Sequence, residues 1–206
     1  MTTTIAALPD HNRITDPMWQ RLFHGYGHVI TPLRYAGWVS DIETAGGEFH
    51  VRADLRDGTE LIISSEHHLP VDPAEVNGWT AIRQDVQDPN THTVLYDSTP
   101  NGPQQHHGNR LIPLLARVDG LDLPGWAPRL IVSASHLALY GTCHNQTAGI
   151  EGPASAVARF SEWSQRLTEH EGYRRVWQRS HRDGYPLALF ESAGHIMTVR
   201  VTRSDD

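Results

Sequence analysis

The hydrophobic positions near the start of the chain recur at helical spacing. They are Met18, Leu22, Tyr26, Val29 and Leu33. The pair Asp16-Pro17 precedes them, and an acidic cap followed by proline is typical of a helix start. Because Gly25, Gly27 and Pro32 interrupt the pattern, we expect this helix to break or kink.

From residue 38 onward the period changes to two, which is typical of strands with one buried face. The apolar positions of the clearest strand are Phe49, Val51, Ala53 and Leu55. Turn signals at 46–47, 57–58 and 88–90 separate further strands at 61–65, 79–85 and 92–97. The pattern predicts about five antiparallel strands, followed by a short helix over 112–118.

The rest of the chain predicts a buried strand at 129–140, a loop at 141–152 and a helix at 153–171. Three strands at 174–181, 186–191 and 196–202 then complete the chain. No regular alternation of strand and helix is present, so a parallel doubly wound fold is not expected. We predict an α+β fold of mainly antiparallel sheets with helices packed on one face.

Proline and glycine are concentrated at 121–128, which predicts a junction between two halves. We expect a flexible arm at 1–15, an N-terminal α+β half at 16–120 and a C-terminal α+β half at 129–206. With 206 residues, the two halves are expected to pack as one compact unit.

Charge is unevenly distributed between the halves. Residues 1–125 carry 8 arginines against 16 acidic residues, whereas residues 126–206 carry 9 against 8. The acidic first part argues against nonspecific binding of duplex DNA, because such binding depends on neutralising many phosphates. Apolar runs are too short to span a membrane. No export signal is visible at the start of the chain, and the single Cys143 cannot form an internal disulfide. We therefore expect a cytoplasmic protein.

Local motifs for phosphate loops, dinucleotide folds, zinc proteases and α/β-hydrolases are absent from the sequence, and no cofactor is predicted. Histidine pairs at His67-His68 and His106-His107 are candidate metal ligands. Adjacent residues on an extended chain point apart, so a metal site requires the two loops to converge. Isolated loop histidines are the simpler interpretation, and we predict no metal.

Cys143 is a candidate nucleophile, with His136 or His195 as its base. Such chemistry requires the fold to bring an imidazole from a distant position to the thiol. A structural thiol is the alternative interpretation, because free cysteine often packs as a small apolar residue.

The segment 173–182 interleaves aromatic and cationic residues on one predicted strand face. This face consists of Tyr173, Arg175, Trp177, Arg179 and His181. Such a surface stacks flat groups, holds phosphate or carboxylate, or accepts an acidic protein partner. The alternative is an exposed strand whose tryptophan packs inward through a bulge and whose arginines pair with glutamates of the preceding helix.

The run from His28 to Trp38, HVITPLRYAGW, is followed by Asp57-Gly58 and by Gly78-Trp79. This AGW…DG…GW layout over residues 24–120 resembles an uncharacterised domain family of Streptomyces-type actinobacteria and their integrative plasmids. The chain has Arg-Asp-Gly where that family has Ser-Pro-Asp-Gly. The resemblance implies an actinobacterial source or mobile element and assigns no activity.

Together these features favour a non-enzymatic binding or accessory protein that engages a protein or nucleic-acid partner through the aromatic–arginine strand face. A small enzyme acting on a natural product or nucleotide, with a histidine-based site, is the first alternative. The second is a structural subunit of a phage or similar assembly. A homo-oligomer is compatible with each of these hypotheses.

Overall fold

The computed structural model describes residues 13–121, 130–138, 143–180, 185–192 and 195–203. Within these ranges the predicted α+β class is confirmed. The helices are α1 (Pro17–Gly25), α2 (Gly27–Tyr35), α3 (Leu111–Asp119) and α4 (Pro153–Glu169). Most of the predicted arm (1–15) and of the predicted junction (121–128) lies outside the described residues. No helix among those described is long and apolar enough to span a membrane.

Two antiparallel sheets of five strands each contain the described strands. The first sheet has the order β1-β2-β3-β4-β5, and the second has the order β7-β6-β10-β9-β8. The first-sheet strands are β1 (Val39–Ala45), β2 (Glu48–Asp54), β3 (Thr59–Ser64), β4 (Thr80–Asp85) and β5 (His92–Asp97). The second-sheet strands are β6 (Leu130–Ala138), β7 (Cys143–Glu151), β8 (Arg174–Ser180), β9 (Pro186–Ser192) and β10 (His195–Arg203).

The predicted break in the first helical segment is confirmed. Asp16 accepts a hydrogen bond from the Met18 backbone N–H at 2.8 Å, so its side chain caps α1. Helix α1 ends at Gly25, and α2 begins at Gly27. The apolar stripe of α1 buries Trp19, among others, against the first sheet.

Strand β2 shows why the first sheet forms as the sequence predicts. Val51 and Ala53 are buried under the helices, while Arg52 and Asp54, which alternate with them, are exposed on the opposite face. On that face Arg52 pairs with Glu43 at 3.0 Å and also with Glu60. Arg52 therefore neutralises part of the acidic charge on the open face.

The predicted loop at 141–152 is wrong, because strand β7 occupies most of it. β7 lies at the edge of the second sheet, paired with β6 alone among the described strands. Gln146, Thr147 and Gly149 are exposed there. An edge strand needs little apolar surface, so its polar composition resembles that of a loop.

Helix α4 contributes to both hydrophobic cores. Ala154 and Ala158 pack in the core beneath the first sheet. Ala156, Phe160 and Leu167 pack in the core beneath the second sheet. The two sets of side chains point in different directions from the same helix. By packing in both cores, α4 joins the two halves.

The start of α4 is held by a carboxylate from another helix. Asp119, the last residue of α3, accepts hydrogen bonds from the backbone N–H groups of Ala154 (3.1 Å) and Ser155 (2.8 Å) and from the Ser155 hydroxyl (2.6 Å). Burial raises the pKa of Asp119, although these hydrogen bonds favour its charged form. A Cβ at Gly152 would lie 2.3 Å from the Asp119 carboxyl carbon, so this close approach requires glycine.

We expect Asp119→Ala to lower the free energy of unfolding by about 2 kcal/mol, because three donors at the start of α4 lose their acceptor. Urea denaturation followed by circular dichroism measures the change. The control is Glu162→Ala, which removes an exposed carboxylate of α4 and should change the free energy of unfolding by less than about 0.5 kcal/mol. Equal effects of the two substitutions would contradict the capping role.

Candidate functional site

The predicted binding strand is present as β8, at an edge of the second sheet. Arg174, Arg175 and Val176 are all exposed on it, and Val176 retains 44% of its accessible surface. Tyr173 is half-buried and packs against the second core. Arg174 pairs with Glu191 of β9. We call the exposed residues Arg174, Arg175 and Val176 the β8 rim.

A register shift interrupts the alternation on which the predicted face was based. Arg175 pairs with Phe190, and Trp177 pairs with Leu189, the adjacent residue of β9. Regular pairing would place residues two apart on β8 opposite residues two apart on β9. Of Trp177 and Arg179 only the backbone is described, and His181 lies outside the described residues. The single five-residue face therefore stays a prediction.

Arg175 borders a depression of about 500 Å³ between β8 and α4. Its Nη1 donates to Gln178 Oε1 at 2.8 Å, which orients the guanidinium along the strand. The lining residues are Phe160, Ser161, Ser164, Gln165, Thr168, Arg175 and Gln178. Arg175 is the one charged side chain among these described residues, so the depression is locally cationic.

Ser164 is the unusual side chain of this depression. It is only 7% exposed, and its Oγ has no hydrogen-bond partner within the part of the chain that the structure describes. Ser155, which is 1% exposed on the same helix, instead donates its hydroxyl to Asp119. Burying a hydroxyl without a partner costs stability, so the Ser164 hydroxyl destabilises the fold unless a ligand oxygen accepts from it.

The candidate catalytic residues lie toward one end of the second sheet. Leu137 pairs with Cys143 on one side and with Ile196 on the other, and His136 pairs with His144. His195 pairs with Ala138. The backbone register thus brings Cys143, His136 and His195 onto neighbouring strands. A catalytic role for these residues stays a prediction.

The candidate metal ligands lie in two loops of the first half. His67 and His68 are exposed after β3. His106 and His107 form part of a 3₁₀ turn, where the His107 ring stacks on Tyr96 and its Nδ1 lies 2.9 Å from the Tyr96 hydroxyl. Among the described residues, no group of three or more His, Cys, Asp or Glu side chains is placed to hold a metal ion.

A second depression, of about 590 Å³, lies on the open face of the first sheet. Asp41, Glu43, Asp54 and Glu60 make its lining acidic, and Arg52 pairs with two of these carboxylates. Since Glu43 and Glu60 already pair with Arg52, the depression gives a weaker indication of a ligand than the one beside Ser164.

Sequence reasoning found Arg175 but missed its neighbours in the depression. Ser164 falls on the helical stripe of Val157, Phe160 and Leu167, and a hydroxyl on this otherwise apolar stripe is the available signal. Strict alternation along 173–182 puts Gln178 on the opposite strand face from Arg175. The register shift places both residues on the side of β8 that faces α4.

Comparison of the chain with protein-family models, with curated proteins and with solved structures finds no match in any of the three. The resemblance of residues 24–120 to an actinobacterial domain family therefore stays a prediction.

The two buried serines of α4 should respond oppositely to alanine. We expect Ser155→Ala to lower the free energy of unfolding by about 1–2 kcal/mol, because Asp119 loses a donor. Ser164→Ala should leave it unchanged or raise it by up to about 1 kcal/mol, because an orphaned hydroxyl is removed. Chemical denaturation of both variants at pH 7 measures this. A loss of more than about 1 kcal/mol in Ser164→Ala would show that the hydroxyl stabilises the fold.

Proposed function

We propose that the protein is a non-enzymatic binding protein that engages an acidic segment of a protein partner through the β8 rim. The observation that carries this proposal is the joint exposure of Arg174, Arg175 and Val176 on an edge strand. Arg174 is in an exposed ion pair with Glu191, which a partner carboxylate can replace. Two cations beside an apolar side chain then suit a carboxylate-bearing chain with apolar residues.

The position of β8 favours a polypeptide over a nucleic acid. An edge strand has backbone N–H and C=O groups on its outer side, and an extended peptide can pair with them. The bulge between Arg175 and Trp177 limits regular pairing to a short stretch, which disfavours indiscriminate association of edges. The acidic first part of the chain opposes binding of a long polyanion.

A direct test measures fluorescence anisotropy with three labelled probes. They are a 12-residue peptide of alternating Glu and Val, the same peptide with Lys in place of Glu, and a 12-nucleotide thymidylate. We expect saturable binding of the Glu peptide alone. The Arg174→Ala/Arg175→Ala double variant should bind it at least about tenfold more weakly, because both charge-assisted contacts are lost.

The same variant should keep its melting temperature within about 2 °C, since both side chains are exposed. Arg166→Ala removes an exposed arginine of α4 that pairs with Glu171, and this control should bind the Glu peptide normally. Equal binding of the Glu and Lys peptides, or unchanged binding by the double variant, would refute the proposal. Binding of the thymidylate alone would indicate a nucleic-acid partner instead.

A further inference from the structure

The depression beside Ser164 continues along α4 toward α2. A neighbouring depression of about 290 Å³ shares Phe160, Ser161 and Gln178 with it. The two depressions therefore adjoin, and we call them together the α4 groove. The depression beside Ser164, at about 500 Å³, is by itself within the range of small-molecule sites, which is roughly 300–1,000 Å³.

One end of the α4 groove is polar and cationic. Arg175 and the Gln178 amide lie on the β8 side, and the buried Ser164 hydroxyl lies on the α4 side. Gln165 is turned toward Glu169, which accepts from its amide nitrogen at 3.0 Å with each carboxylate oxygen. No carboxylate is among the described residues that line this end, so nothing there neutralises the Arg175 charge within the groove.

The other end of the α4 groove is mainly apolar. Pro32 of α2, Val157 and Phe160 of α4 and Pro186 of β9 provide most of its apolar surface. The lining also includes Tyr35 and the polar side chains of His24, His28 and Thr31. Pro32, Val157, Phe160 and Pro186 are buried, so this end is built into the packing of three elements. Such walls favour an apolar body over a further charged group.

The Ser164 hydroxyl distinguishes this groove from a packing gap. A buried hydroxyl without an acceptor costs stability, and native proteins contain only a few such polar groups per hundred residues. A ligand oxygen at this end would accept from Ser164 Oγ and would lie on the same side as the Arg175 guanidinium. A carboxylate or a phosphate has two or more such oxygens.

We propose that the α4 groove binds a small molecule whose anionic head, a carboxylate or a phosphate, contacts Ser164 and Arg175, and whose apolar body extends toward α2. This site goes beyond the proposed partner binding, because it lies between β8 and α4 rather than along the outer edge of β8. Arg175 is common to both sites, whereas Ser164 belongs to the groove alone.

Isothermal titration calorimetry on the full chain tests the proposal with three probes: 3-phenylpropionate, phenyl phosphate and neutral 3-phenylpropanol. We expect saturable binding of at least one anion and at least about tenfold weaker binding of the alcohol. Binding of one anion alone identifies the head group as carboxylate or phosphate, and binding of both shows that either is accepted. Propionate and inorganic phosphate, which lack the ring, should bind at least about fivefold more weakly than the matching aromatic anion.

Two substitutions then locate the site. Ser164→Ala should weaken binding of the anion about tenfold. Arg175→Gln should weaken binding of the anion by a similar factor and should remove the preference of the groove for the anion over the alcohol. Ser192→Ala, a serine of β9 outside the groove lining, is the matched control and should change the affinity by less than twofold.

Three results would overturn the proposal: no saturable binding of either anion up to 10 mM (about 3 kcal/mol of binding free energy), equal affinity for the alcohol, or unchanged affinity in both groove variants. Ser164→Ala also separates the two sites. Loss of anion binding with retained binding of the acidic peptide supports the groove independently of the β8 rim. The melting temperature of Ser164→Ala shows whether this variant is folded. If it is unfolded, the affinity of Arg175→Gln for the anion decides the groove proposal.

Discussion

The contact between Asp119 and the first turn of α4 is the constraint on which the rest of the structure depends. A helix start has backbone donors without intrahelical acceptors, and here the acceptor comes from the end of α3. Gly152 allows the two segments to approach this closely. The negative carboxylate also lies at the positive end of the helix dipole. One side chain thereby orients the helix that packs in both cores.

The orientation of α4 determines where the proposed ligand would bind. Its alanines at 154 and 158 pack beneath the first sheet, and Phe160 and Leu167 pack beneath the second. Between these two sets, α4 leaves a channel against α2 and β8, where Ser164 and Arg175 lie. A groove at such a joint requires both halves to be in place, because its apolar end includes Pro32 of α2 and its cationic end includes β8.

Features that depend on local pattern were predictable from the sequence. The alternation of Val51 and Ala53 with Arg52 and Asp54 predicted β2 and its open face. Pro153, followed by a helical stripe, predicted α4 to within two residues of its end. These predictions succeed because one period and one turn signal decide them within a short segment.

Features that depend on distant residues were not predictable in this way. Asp119 lies 35 positions before Ala154 in the chain, and nothing in its neighbourhood marks it as a helix cap. The bulge in β8 changes the side-chain phase by one residue, so simple alternation does not place Arg175 and Gln178 beside the same depression. Strand β7 has an edge composition that resembles a loop. In each case a contact between elements, rather than a propensity, decides the outcome.

Native-state hydrogen exchange tests most directly whether α4 couples the two halves. The account predicts that the backbone amides of Ile63 in the first sheet and Val199 in the second, both buried, exchange with the same free energy of opening. In Asp119→Ala both values should fall by the same amount. A second sheet that opens independently, or a substitution that lowers the protection of one sheet alone, would contradict it.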